Sequence, residues 1–401
     1  MLDRLQNGPI CSIPSETCTN NTKLNLGHQF VLCWTMLPSA LCPCANVRRT
    51  CRMVMEEQEK NPLVSIQQES LDSLAKQISQ NIKEQQQQSN NNDTTTTTPT
   101  TTPVLAEWDE EGWHYRGQGF RGDETERQER IALYILALDA INFCFWPSEK
   151  DDNAQNSLEY DHLAMALTQL AKQDHHHHES NNNNDTYFFS PTKLAQLEPK
   201  QMEQALAPHL QGHYLPNVEE RCRLWNELGS SLLETYQGKA LGLIQACQSW
   251  APRLVWLVAR DFAGFRDETM TIADQRNARQ VFFYKRAQIV VGDLNAALEL
   301  ELEGMDRLTT FADYRVPQVL RHEGVLLYHH QELADQVDNR TELGLDQEVA
   351  IRAATVVAVD ELASRVGLTA VQLDWHLWQV GEQMNQKNEM KPHHRVRTIF
   401  Y

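Results

Sequence analysis

The chain has 401 residues, 41% of them hydrophobic, and a net charge of −18; that length supplies one large domain or two smaller ones. Residues 1–104 hold 8 Lys and Arg against 9 Asp and Glu, so 28 against 45 fall in the remainder, a net −17 there. An acidic body of this kind repels phosphate backbones at long range, which argues against a broad nucleic-acid surface but leaves room for a small basic pocket holding one phosphate.

Along the chain, residues 1–52 hold five basic and two acidic residues. That balance fits an organelle transit peptide as well as a later start at Met53 or Met55; without a leader, a cytoplasmic protein is expected. The apolar stretch Phe30–Cys44 is interrupted by Pro38 and Pro43 and falls short of the roughly 18 residues a membrane span needs. Six of the nine cysteines lie at or before Cys51; Cys144, Cys222 and Cys247 sit in helical stretches and read as buried thiols in a reducing compartment. Cys42-Pro43-Cys44 is too short for a metal knuckle and has no His pair nearby.

Leu71, Leu74 and Ile78 are spaced at three and four, which predicts a helix within 62–84 docking onto the body. The Gln, Asn, Thr and Pro run over 85–102 cannot bury enough apolar area to offset ordering, so it reads as disordered. Residues 1–104 are therefore expected to be a low-complexity extension and 105–401 a single, mainly α, helical domain. A polar insert near 173–186 interrupts it and reads as disordered. Its His175–His178 tract fits a surface repeat rather than a metal site, because four adjacent imidazoles do not converge without a shaped scaffold.

Helical periodicity dominates the remainder. Helices are predicted over Glu126–Phe145, Cys222–Tyr236 after an Asn217/Glu220 capping box, and Leu241–Phe262 with a break at Pro252. Others follow over Val281–Leu300, Val319–Tyr328 with Pro317 in the first turn, Asp346–Val366 ending at Gly367, and Thr369–Met384 opened by a Thr369/Gln372 box. Gln280–Tyr284 is the best strand candidate. No Gly-rich phosphate loop and no GxSxG elbow is present.

Asp374 is the most informative residue. Its helical neighbours Ala370, Val371, Leu377 and Trp378 are apolar, so its carboxylate falls on a buried face and needs a partner or a task. A structural ion pair with an arginine is the competing reading. Asp313 lies between two helices, flanked by Phe311 and Tyr314, and either binds a ligand or caps the turn before Pro317. Lys285 and Arg286 follow Phe282-Phe283-Tyr284, a pattern suited to a phosphate with a ring stacked nearby, or to a solvated basic turn beside core aromatics. Asn142-Phe143-Cys144-Phe145-Trp146, before Pro147, reads by itself as core. Glu348 and Arg352, four apart on one helix, favour an intrahelical pair over a ligand contact.

Together the segments Ile141–Trp146, Tyr284–Ile289, Phe311–Gln318, Glu348–Arg352, Leu373–Trp378 and His394–Tyr401 resemble the queuosine salvage family, in order and over roughly 105–401. The resemblance implies a fold similar to helical DNA glycosylases and hydrolysis of queuosine 5'-phosphate to queuine, a base reused in transfer RNA modification. It places the catalytic acid on Asp374 and base binding on Phe311 and Asp313, with His114 as a further candidate. Phe145 or Trp146 would face the base, Lys285 and then Arg286 the 5'-phosphate, and Arg352 is carried as a possible ligand contact.

The chemistry fits those groups. Breaking the C1'–N bond builds positive charge on the ribose, which a close carboxylate stabilises as electrostatic partner, nucleophile or water-orienting group. Queuine is a 7-deazaguanine and lacks the usual protonation site, so hydrogen bonds to its guanine-like edge must spread the developing negative charge. Its side-chain amine is cationic and calls for a second acid. No metal or other cofactor is called for, and the expected partner is the small-molecule nucleotide, with no membrane and no stable nucleic-acid complex. Two readings compete with this one: a base-excision glycosylase acting within nucleic acid, and a non-catalytic module that carries queuine.

Overall fold

The computed structural model describes residues 42–92, 122–147, 158–173, 187–274 and 277–401, with Gly117 and Phe120. These fall within one compact unit, 39–401. The candidate His114, the polar tract from His175 and residues 93–102 of the expected disordered run lie outside the described residues.

Fourteen α-helices carry the described fold. They begin with α1 (Pro43–Glu57), α2 (Gln68–Asn92), α3 (Glu124–Ala140) and α4 (Tyr160–Gln173). Short helices α5 (Pro191–Ala195) and α6 (Pro199–Leu206) lead into α7 (Val218–Tyr236), α8 (Ala240–Ala246) and α9 (Ala251–Asp261). Then come α10 (Lys285–Ala297), α11 (Arg315–His322), α12 (Gln331–Asp338), α13 (Leu345–Val366) and α14 (Ala370–Gln386). Strands are few: β1 (Val64–Ile66) pairs antiparallel with β4 (Leu326–Tyr328), Ser65 opposite Leu327, and β2 (Glu268–Asp274) pairs with β3 (Asn277–Phe282), Thr269 opposite Val281. The class is mainly α, as the periodicity indicates.

The folded unit starts well before Leu105. Helix α1 buries Val47, Cys51 and Val54 against Val281 and Phe283 near β3 and Val349, Ala353 and Val356 of α13. Each valine so buried contributes about 1.5–3 kcal/mol. Helix α2 lays Leu71, Leu74, Ile78 and Ile82 against Ala354, Ala358 and Leu362 of α13. It runs on through residues 85–92, where composition argues for disorder; glutamine is a good helix former and extends a helix whose first turns are already docked.

Several caps match the sequence rules. Thr369 Oγ1 accepts from the Gln372 amide at 3.2 Å, opening α14, and Gly367 closes α13 in the left-handed region. Pro252 sits in the first turn of α9, after the chain leaves α8 at Cys247. The Asn217 box does not form: the Asn217 amide donates to Cys144 O at 3.5 Å and Glu220 pairs with Arg223 instead. The helix expected through Tyr328 stops at His322, because Leu326–Tyr328 pairs with β1 beyond the Gly324 turn. Helices α11 and α14 cross closely at Gly381, where an added Cβ would meet Arg315 and Val319 side-chain carbons at 2.8 Å.

Candidate functional site

Two buried arginines shape the end of α3. The last carbonyls of a helix lack intrahelical partners. Arg286 donates to Asp139 O at 3.0 Å and also to Ala140 O and Gly264 O. Arg221 donates to Ile141 O, and to Phe143 O at 2.7 Å and Cys144 O at 3.2 Å. This holds 141–146 out of helix, with Cys144 at φ +40°, and leaves Asn142 on the wall of a cleft.

That cleft has a cavity volume of ≈ 80 Å³ and opens to solvent. Helix α10 supplies Lys285, Ile289 and Asp293, three residues at four-residue spacing and so on one helical face. The segment before α11 supplies Phe311, Asp313 and Tyr314; α14 supplies Asp374, Trp375 and Trp378; α4 supplies Tyr160. Among the described residues the charged lining is one cation, Lys285, against Asp293, Asp313 and Asp374.

Asp374 is 3% exposed. Its Oδ1 accepts from Thr310 Oγ1 and from the Phe311 amide at 2.7 Å. Burial pushes its pKa up to about 7, with nearby Asp313 adding to the effect; the two hydrogen bonds and Lys285 pull the other way. Among the described residues the partners of Asp374 are Thr310 and Phe311 rather than an arginine.

Asp313 caps the turn, one of its two sequence readings, and also borders the cleft. Its Oδ1 accepts from the Arg315 amide at 2.8 Å and the Val316 amide at 3.1 Å, opening α11. Its Oδ2 takes no hydrogen bond from the described residues, and the side chain lines the cleft. Lys285 is 4% exposed and makes no ion pair within 4 Å among the described residues; burial lowers its pKa, against the pull of Asp313 first and then Asp139 and Asp374. Its helix start is fixed by Asp267, whose Oδ2 accepts from the Lys285 amide at 3.1 Å. Behind Asp293, the fully buried Asp139 carboxyl is pushed well above the usual range by burial and by Asp293.

The other candidates lie elsewhere. Arg286 spends both terminal nitrogens on backbone carbonyls, while its buried Nε finds no partner among the described residues, and it is not part of the cleft lining. Arg352 forms a buried bidentate pair with Asp267, at 2.6 Å and 3.0 Å, and a 3.4 Å contact with Glu348; it supports α10 from behind and the intrahelical reading holds. Phe145 and Trp146 line a separate polar cavity with Glu159 and His393. Trp146 meets the edge of Tyr314 at 5.6 Å on the far side of that wall, so neither ring faces Asp374. Packing beyond the helix end, which sequence spacing does not fix, decides their direction.

The aromatic walls are instead Phe311, Trp375, Trp378 and Tyr160. Trp375 and Trp378 follow Asp374 by one and four residues, and the spacing that marks a buried face also marks a cleft wall. Asp293 was readable from its register with Lys285. Thr310 carried no sequence signal. Among the described residues no group of three His, Cys, Asp or Glu side chains is arranged to hold a metal ion, and no helix is long and apolar enough to cross a membrane.

Comparison with known proteins bears on this geometry. Residues 123–401 match the family described as queuosine salvage protein. A Dictyostelium discoideum protein named queuosine 5'-phosphate N-glycosylase/hydrolase is 35% identical over 305 residues, covering 73% of this chain and 85% of the relative. A protein of the same name from Sphaerobacter thermophilus is 36% identical over 291 residues, 69% of this chain and 83% of its own. A Mus musculus protein of that name is 27% identical over 317 residues, 75% and 89% of the two chains. With more than half its length matched by the family and its cleft built from the matched region, this chain belongs to the queuosine salvage protein family.

Proposed function

We propose that this protein hydrolyses the N-glycosidic bond of queuosine 5'-phosphate and releases queuine, with Asp374 as the catalytic acid residue. The observation that carries the reading is a buried carboxylate held by two hydrogen bonds inside an aromatic cleft, in a family whose relatives bear that activity in their names. In the reaction the C1'–N electrons leave with the base, water oxygen bonds to C1', one water proton ends on the base nitrogen, and ionised Asp374 stabilises the cationic sugar in between.

The remaining roles follow from position. Phe311, with Trp375 or Trp378, stacks on the flat base. The open oxygen of Asp313 takes the N–H donors of its guanine-like edge. Asp293 faces the cationic amine of queuine, the second acid that this base calls for. Lys285, the only cation among the described lining residues, takes the 5'-phosphate. A net charge of −17 over residues 105–401 weighs against action within nucleic acid. Unbonded Cys42, Cys44, Cys51, Cys144, Cys222 and Cys247 support a reducing, cytoplasmic setting.

The test is chromatographic detection of free queuine after incubation with queuosine 5'-phosphate. Wild type is expected to release it and a folded Asp374→Asn variant to be slower by about a hundred- to thousandfold. Near-normal turnover in that variant would remove Asp374 from the chemistry, and a silent wild type would remove the reaction itself.

A further inference from the structure

The segment Arg307–Phe311 sets the position of Asp374, because Thr310 and the Phe311 amide are its two hydrogen-bond donors. From one side, Gln288 of α10 grips this segment: its Oε1 accepts from the Thr309 amide at 2.8 Å and its amide donates to Thr309 Oγ1 at 2.8 Å. From the other side the grip comes from α1, which lies outside the family match over 123–401.

Arg48 of α1 donates to Arg307 O at 2.5 Å and to Leu308 O at 2.8 Å. Its Nε pairs with Asp360 of α13 at 2.8 Å. One planar guanidinium therefore ties two successive carbonyls to a fixed carboxylate, a geometry that a lysine ammonium cannot reproduce. The same helix packs Val47, Cys51 and Val54 into a cluster that includes Ala312, the residue between Phe311 and Asp313. Thr50 Oγ1 also accepts from the Phe282 amide at 3.3 Å, close to the start of α10. Helix α1 thus touches the ligand-facing segment at both ends and the strand that feeds Lys285.

We infer that α1 belongs to the catalytic unit and that Arg48 is a positioning residue for Asp374, acting through the carbonyls of Arg307 and Leu308. The inference rests on the proposed reaction for its kinetic consequences but not for its structural one.

The experiment compares full-length wild type with Arg48→Lys and Arg48→Met. Two readings are taken: the pH dependence of kcat, and the titration of the Asp374 carboxyl carbon by NMR, assigned by its loss in Asp374→Asn. In Arg48→Met, kcat falls about tenfold while KM changes less than about threefold, since misplacement of a positioned group acts on the chemical step. Loosening the Thr310 and Phe311 donors removes stabilisation of the charged form, so both the rate limb and the Asp374 titration move to higher pH. Arg48→Lys lies between. A fall in thermal stability with kcat, limb and titration unchanged in both variants would reduce Arg48 to a structural strut. If Arg48→Met does not fold, Arg48→Lys decides. If wild type releases no queuine, the reaction reading fails, and the Asp374 titration still decides the positioning claim.

Discussion

The Phe311 amide donates to Oδ1 of Asp374 across 2.7 Å, joining the ring that forms one wall of the cleft to the acid at its floor. In the proposed roles, base stacking and sugar chemistry are therefore coupled through this bond, and a shift of the loop should displace both.

Asp374 gives the reaction a defined pH response. With its pKa pushed up to about 7 and the ionised form required, kcat/KM is expected to rise about tenfold per pH unit below 7 and level off above it. Rates between pH 5 and 9 check this; a flat profile from 5 to 8 would mean that another group governs the rate. Stability runs the opposite way. A pKa raised on folding from 3.8 to about 7 favours the fold at low pH, and that contribution is lost as pH rises through about 7. Asp374→Asn does not titrate, so its stability relative to wild type should improve by up to about 4 kcal/mol between pH 4 and 7 and then hold steady. Denaturant unfolding at several pH values tests the sign.

Lys285→Met should raise KM for queuosine 5'-phosphate by about 10- to 100-fold, as expected for loss of a charged hydrogen bond, and change the kinetics of the unphosphorylated nucleoside far less. It should also move the rate limb upward, because Lys285 pulls the Asp374 pKa down. Equal losses on nucleotide and nucleoside would assign Lys285 to the base or sugar instead.

Trp375→Ala and Trp146→Phe form a pair that separates the two cavities. Losing one stacking surface costs about 1–3 kcal/mol, so Trp375→Ala should weaken binding by roughly 5- to 150-fold. Trp146 contacts Tyr314 and His393 on the far side of the wall, and Trp146→Phe should leave queuine affinity near wild type. Isothermal titration with queuine reads both.

How far this site is visible in sequence depends on which interaction does the positioning. The four-residue spacing of Lys285, Ile289 and Asp293 and the apolar surroundings of Asp374 are properties of single helices, and such local periodicity is legible. The direction of Trp146 is set by Arg221 and Arg286 gripping carbonyls at the end of α3, partners more than seventy residues distant. Arg286 beside Lys285 looks like a second phosphate ligand for the same reason: adjacency shows the charge but not the carbonyls that consume it. Helix α1 was obscured by the polar sequence that follows it, although its own buried stripe of Val47, Cys51 and Val54 is at helical spacing.

The Asp267–Arg352 pair underlies α10. Both side chains are almost fully buried, and removing one partner of such a pair costs about 3–5 kcal/mol because the other charge is stranded. Arg352→Met should therefore lower the denaturation midpoint strongly. It should also lower activity, since Asp267 holds the Lys285 amide as well. A variant of unchanged stability would show that solvent enters and compensates the stranded Asp267.

Three carboxylates and one ammonium make up the charged lining of the cleft among the described residues. Before any nucleotide arrives, a chamber with this excess of carboxylates is expected to attract small protonated amines. Tris and polyamines are thus natural competitors at the Asp293 end, and assays in amine-free buffers should give the lower apparent KM.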